Sequence, residues 1–222
     1  MMLDLVTAQG WVSAGVLLTA DECLELRAGY AVEGLFRATI DMRRYRFGQG
    51  EYRYFAYPLP ATVDRLRHRL YRELAPLANE WNEFLRLPFV YPPTLDEFLS
   101  ACHKAGQCRP TPLLLRYGPG DYNCLHQDLY GELSFPFQVV ISLSEPGREF
   151  TGGEFILVEQ RPRAQSMAQA LLPAQGEGIV FTNRTCPRRG AAGYHKVNIR
   201  HGVSPVKSGE RFALGVIFHD AA

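Results

Sequence analysis

The sequence predicts an α+β protein in which helices come first and strands follow. Two observations carry this. Val63, Leu66, Leu70 and Leu74 recur at spacings of three and four, so they share one helical face. After Pro112 the texture changes to short apolar runs separated by Gly and Pro, the mark of a strand-rich half. A third observation sets the scale: 46% of the 222 residues are hydrophobic and 21% charged, a balance that supports a sizeable core. Helices packed on a curved or closed sheet are the expected plan.

The elements follow in order. Thr19-Ala20-Asp21-Glu22 has the form of a capping box, so a helix is expected from about residue 20 to about 29. Residues 37–57 lie within FRATIDMRRYRFGQGEYRYFAY, which interleaves basic and aromatic side chains; Gly48 and Gly50 suggest a turn, and Pro58 and Pro60 close the segment. The helix begun at Val63 keeps Arg65, Arg69 and Arg72 off its apolar stripe. Pro76 is expected to break or restart it, with Leu77, Trp81 and Phe84 continuing the stripe. A short helix is expected from about Thr94 to Cys102. Strands are expected at PLLLRY, FQVVISL, EFILV, GIVFT, KVNIR and FALGVIF. The chain thus divides into an N-terminal region, 1–111, carrying the 37–57 segment, and a core, 112–222. Neither an internal repeat nor a low-complexity tract is present.

The net charge of +1 excludes a global polycation. Locally, Arg27 to Arg72 holds ten Arg and no Lys against Glu33, Asp41, Glu51 and Asp64, a formal +6. Such a face can meet a polyanion, or it can simply be solvated. The five cysteines are odd in number and form no CxxC, which fits a reducing, cytoplasmic setting. MMLDLVTAQG has no basic region followed by an apolar run, and nowhere does the chain approach about 18 consecutive apolar residues; neither export nor membrane insertion is expected.

The chemistry centres on His126-Gln127-Asp128. On a strand or its extended exit, residues two apart point the same way, so both side chains can reach one ion. Two His and one carboxylate bind one face of Fe(II) and leave three positions, two for a chelating 2-oxo acid and one for O2. His201 is the preferred third ligand, because Pro205 and Ser208-Gly209 supply a turn and Arg211 follows at the start of an apolar strand. A hairpin there would place His201 and Arg211 near one another inside the sheet. Arg211 can clamp a carboxylate through paired N–H bonds. His195 is the rival ligand, sharing a strand face with His201. His68, His103 and His219 have no partner pattern and are taken as structural or exposed.

These residues resemble the Fe(II)/2-oxoglutarate dioxygenase superfamily over about residues 112–219. RYGPGDYNCLHQD, from Arg116 to Asp128, is similar to the matching stretch of the AlkB nucleic-acid demethylases. TGGEF, from Thr151 to Phe155, and HGVSPVKSGER are more similar to the prolyl hydroxylase branch. The resemblance implies a double-stranded β-helix (jelly-roll) core flanked by N-terminal helices. It implies Fe(II), 2-oxoglutarate and O2, with ascorbate as an accessory reductant. It also implies that Tyr117 and Arg211 hold the distal carboxylate of 2-oxoglutarate; Tyr122 either lines the site or caps the sheet. Two departures separate the chain from AlkB enzymes. Leu115 stands where they carry Asn, and Ala213 and Ile217 stand where they carry Asn and a second Arg.

For the substrate, residues 37–57 sit where AlkB-type enzymes carry a nucleotide lid. Aromatic faces stack on bases and arginines meet phosphates. Arg43, Arg44, Arg46, Tyr52, Tyr54 and Tyr122 are therefore the expected substrate contacts, and oxidative repair or modification of nucleic acid is the leading expectation. A prolyl-type protein hydroxylase and a catalytically inactive binding module on the same fold are the alternatives.

Overall fold

Thr19 and Glu22 do form the reciprocal cap expected of them, and the helix they open spans Ala20–Gly29. The structure is a computed structural model that describes residues 2–128, 131–161, 163–191 and 193–222. Its helices are α1 (Met2–Gln9), α2 (Ala20–Gly29), α3 (Ala61–Leu85) and α4 (Leu95–Lys104). The strands of the first half are β1 (Trp11–Val16), β2 (Phe36–Asp41), β3 (Gly48–Gln49) and β4 (Glu51–Phe55). Those of the second begin with β5 (Leu113–Tyr117), β6 (Tyr122–His126), β7 (Phe137–Ser142), β8 (Phe150–Gly152) and β9 (Phe155–Gln160). They end with β10 (Met167–Leu171), β11 (Glu177–Thr182), β12 (Thr185–Gly190), β13 (Gly193–Val203), β14 (Val206–Gly209) and β15 (Arg211–Val216).

Two antiparallel sheets form the jelly-roll. One runs β1-β11-β7-β15-β5-β4-β2; the other runs β10-β9-β13-β6-β3, with β12 beside β13. The six apolar runs of the sequence fall in β5, β7, β9, β11, β13 and β15. The expected α+β class and helix-flanked double-stranded β-helix are what is found. Residues 1–111 also contribute strands: β1, β2 and β4 all lie in the first sheet. β1 was not expected from the sequence, since WVSAGV is short and only half-buried.

Pro76 does not break its helix. α3 is continuous over 25 residues with Pro76 inside it. An interior proline costs about 3 kcal/mol. Val63, Leu66, Leu70, Leu74 and Trp81 are all buried on the same helix, each contributing about 1.5–3 kcal/mol, so packing outweighs the local penalty. Arg67 of α3 is buried as well. It pairs with Asp220 at 2.7 Å and donates to the carbonyls of Ile217 and Phe218, fixing the chain where it leaves β15.

A hairpin between His201 and Arg211 is not formed. β13 and β15 belong to opposite sheets, and β14 between them pairs with β8. The two residues nevertheless line one cavity between the sheets. The residues 37–57 also differ from a detached lid. β4 pairs with β5, Tyr52 opposite Leu115 and Tyr54 opposite Leu113, so this segment extends the first sheet. Between β2 and β4, β3 crosses to the other sheet and pairs Gly48 with Asn123 of β6.

Candidate active site

His126 is the last residue of β6 and His201 is its register partner on β13. Their rings lie 4.2 Å apart. Asp128, two residues beyond His126, completes the group: Oδ1 is 3.5 Å from His126 Nε2 and Oδ2 is 3.3 Å from His201 Nε2. One donor atom from each residue falls within 4.8 Å of the others, close enough to share one metal ion. His195 is exposed on β13 and stands outside this group.

The local chain explains the aim. His126 Nδ1 lies 2.8 Å from the Cys124 carbonyl, which assigns the proton to Nδ1 and leaves the Nε2 lone pair facing Asp128 and His201. Burial, then the neighbouring His201, hold its pKa below the ordinary histidine value, and a neutral imidazole is the form that binds a metal. The rings of Phe181 and Phe155 stand 4.8 and 5.9 Å from that of His201 and fix its plane. Gln127, the middle residue of the motif, donates to the carbonyls of Arg184 and Ile199 at 2.9 and 2.8 Å. That amide ties the Asp128 loop to β13, a role without a signal in the sequence.

The triad opens on a cavity of about 270 Å³. Arg211 and Tyr117 are register partners on β15 and β5 and line one part of it. Arg211 is 3% exposed, its guanidinium lies 5.4 Å from the Tyr117 ring centre, and no carboxylate of the described residues is within ion-pair distance. Burial lowers its pKa from the ordinary arginine value. Tyr117 is fully buried, its pKa pushed up to about 12 by burial. Its hydroxyl has no partner at hydrogen-bonding geometry, although the Asn123 amide is a polar neighbour. A buried cation beside an unspent hydroxyl suits an anion with oxygen acceptors, such as the far carboxylate of a dicarboxylate. Gly153 of TGGEF makes room for the Arg211 side chain. A Cβ on Gly153 would come within 2.8 Å of Arg211 Cδ, and φ is +64° there.

Tyr52 and Tyr54 of β4 line the same cavity with their rings edge-on, 5.4 Å apart. Phe47 lines it too, although 45% exposed, and stacks on Tyr45, which is 55% exposed. Arg43, Arg44 and Arg46, in the same segment, are exposed. Tyr122 is exposed on β6 and is not part of the cavity wall. Sequence reasoning passed over Tyr45 and Phe47, although both stand in the same basic and aromatic run, and over Asn123 and Gln138, which carry no motif.

Residues 50–221 match the model of a family described as an oxygenase catalysing oxidative methylation of damaged DNA. The chain belongs to this family. The oxygenase is 53% identical over 168 residues to an uncharacterised protein of Mycobacterium tuberculosis strain H37Rv, covering 76% of this chain and 72% of the relative. The protein of strain CDC 1551 / Oshkosh matches equally. Among solved structures, a Pseudomonas putida prolyl-4-hydroxylase aligns with a TM-score of 0.59 at 17% identity, covering 100% of both chains. A Trichoplax adhaerens prolyl hydroxylase in complex with a hypoxia inducible factor peptide gives 0.56 at 15%, over 99% of this chain and 88% of its own. A Burkholderia pseudomallei oxidoreductase of the 2-oxoglutarate–Fe(II) oxygenase family gives 0.52 at 19%, over 100% and 91%. At these identities the likeness is one of fold. The His-Asp-His group of this oxygenase can share one metal ion, on a fold like that of the 2-oxoglutarate–Fe(II) oxygenases. No helix among the described residues is long and apolar enough to cross a membrane.

Proposed function

We propose that this oxygenase hydroxylates a nucleic-acid substrate, with His126, Asp128 and His201 holding Fe(II) and with Arg211 and Tyr117 holding the distal carboxylate of 2-oxoglutarate. The exposed Tyr45–Phe47 stack carries the nucleic-acid reading. The two ring centres are 5.6 Å apart at 18°, Phe47 reaches the cavity wall, and Arg43, Arg44 and Arg46 are exposed in the same short segment. Parallel rings facing solvent beside arginines form a platform on which bases stack while phosphates are neutralised. The family description, which speaks of damaged DNA, points the same way.

Iron and 2-oxoglutarate, when bound, would let O2 hydroxylate a C–H bond, one oxygen atom going to the substrate and the other to succinate, with CO2 released. The protein does the rest. His126 keeps Nε2 free because Nδ1 is committed to Cys124. Asp128 spans the two imidazoles, and Gln127 holds its loop. Arg211 orients the co-substrate through charge-assisted bonds. Tyr52, Tyr54 and Phe155 wall the cavity and limit water. On an N-alkyl base the hydroxylated carbon would leave as an aldehyde. A cytoplasmic setting fits the five free thiols.

Succinate formation with Fe(II) tests the reading against N-methylated single-stranded DNA, the matching RNA and proline-containing peptides. Turnover with a nucleic acid is expected. Turnover with peptides alone would make this a protein hydroxylase.

A further inference from the structure

Gln138 is 4% exposed, lines the cavity, and its amide nitrogen meets no hydrogen-bond partner. A buried amide without partners costs about 1–3 kcal/mol, which is unusual in an interior that hydrogen-bonds most of its polar groups. The register shows which part of the cavity it serves. Arg211, Ala213, Gly215 and Ile217 follow one another along its floor. Val139 pairs with Val216, so Gln138 sits beside Ile217, at the opposite end from Arg211. Six residues of strand span about 20 Å. An acid anchored on Arg211 has its held end at the far end of this strand from Gln138.

The neighbours of Gln138 place it near the reacting centre. Phe181 is its cross-strand partner, and the Phe181 ring is 4.8 Å from that of His201. Tyr54, Leu113 and Ile217 pack together at the same end. We infer that Gln138 reads the edge of a nucleobase inserted into the cavity, an inference that rests on the nucleic-acid reading above. A carboxamide presents a donor and an acceptor side by side. A base edge offers the complementary pair, and its faces suit aromatic and apolar walls. A prolyl ring carries no N–H, so it would leave the carbonyl acceptor of Gln138 without a donor.

The test is anisotropy of a labelled single strand carrying one N-methylated base, compared with the same strand carrying an abasic site. The full chain is used with Fe(II) and 2-oxoglutarate under argon. The unmodified protein is expected to prefer the strand with the base. Gln138→Met, of similar length and without hydrogen bonds, should lose about 5- to 150-fold of that preference. Gln138→Leu, with its melting curve, guards against a folding defect in either variant. Preference retained in both folded variants overturns the inference, as does equal binding of both strands by the unmodified protein. A raised KM for 2-oxoglutarate with intact base preference assigns the amide to the co-substrate and also overturns it. If neither strand binds, the nucleic-acid reading fails and the inference falls with it.

Discussion

Replacing Arg211 with Met separates a ligand anchor from a structural charge. The guanidinium is buried beside Tyr117, with no carboxylate of the described residues in ion-pair range. Such a charge costs several kcal/mol to bury, and apolar replacements of similar volume often stabilise a protein by about 1–4 kcal/mol. The free protein should therefore melt higher as Arg211→Met. Its response to 2-oxoglutarate should collapse. Charge-assisted bonds are worth about 1.5–3 kcal/mol, so the apparent KM should rise about 10- to 150-fold. At 2-oxoglutarate 100 times the wild-type Kd, the wild type gains about 2.7 kcal/mol and the variant about 0.3–1.4 kcal/mol. For a chain of this size, each kcal/mol moves Tm by about 2–4 °C. Thermal melts with and without 2-oxoglutarate read both effects, and succinate formation reads the KM. A free variant that melts several degrees below wild type, or a full ligand-induced shift in Arg211→Met, would refute the assignment.

Four further outcomes are expected. Asp128→Ala should abolish Fe(II)-dependent succinate formation and weaken metal binding; of the two histidines on β13, His201→Ala should do the same while His195→Ala is spared. Gln127→Leu removes both bonds to the carbonyls of Arg184 and Ile199 and should weaken Fe(II) binding about 10- to 100-fold in a metal titration, the usual effect of removing a group that supports a metal ligand. Changing Arg43, Arg44 and Arg46 to Ala should flatten the salt dependence of single-strand binding by about 0.7 in log–log slope for each phosphate left without its arginine, and an unchanged slope would detach them from the phosphates. His219 is pushed down to about 4 by burial, whereas an unfolded histidine titrates near about 6.5. The unfolded chain thus takes up the proton first, and stability should fall as pH drops from about 6.5 to about 4, by less in His219→Gln; urea midpoints at pH 7 and 5 measure the difference.

The sequence disclosed features whose signal is local. Periodicity located α3, Gly and Pro bracketed the apolar strands, and two-residue spacing paired His126 with Asp128. What it hid depends on pairing between distant segments. The turn at Pro205 and Ser208-Gly209 reads as a hairpin, yet β14 pairs with β8 and sends the chain to the other sheet. Helical propensity alone placed a break at Pro76, where burial of Trp81 and Leu74 decides otherwise. Nothing local in the sequence marks the partner of Arg67, since Asp220 is brought against it from the far end of the chain. Gln127 and Gln138 are ordinary residues in the chain and acquire meaning only from what β13 and β15 place beside them.

The crossing of β3 between the sheets bears on how this enzyme can be altered. Tyr45 and the arginines stand before it, β4 follows it, and its partner β6 carries His126. The Phe47 carbonyl accepts from Cys124 N at 2.7 Å, and a Cβ on Gly48 would lie 2.3 Å from the Tyr122 carbonyl at φ +138°. A library aimed at new substrates has free ground at residues 43–46, where side chains face solvent. At 47–50 the same strategy meets the strand that carries His126 directly, and diversity there exchanges selectivity for loss of the proposed metal site. A change of substrate preference is accordingly best sought in a stretch of four residues.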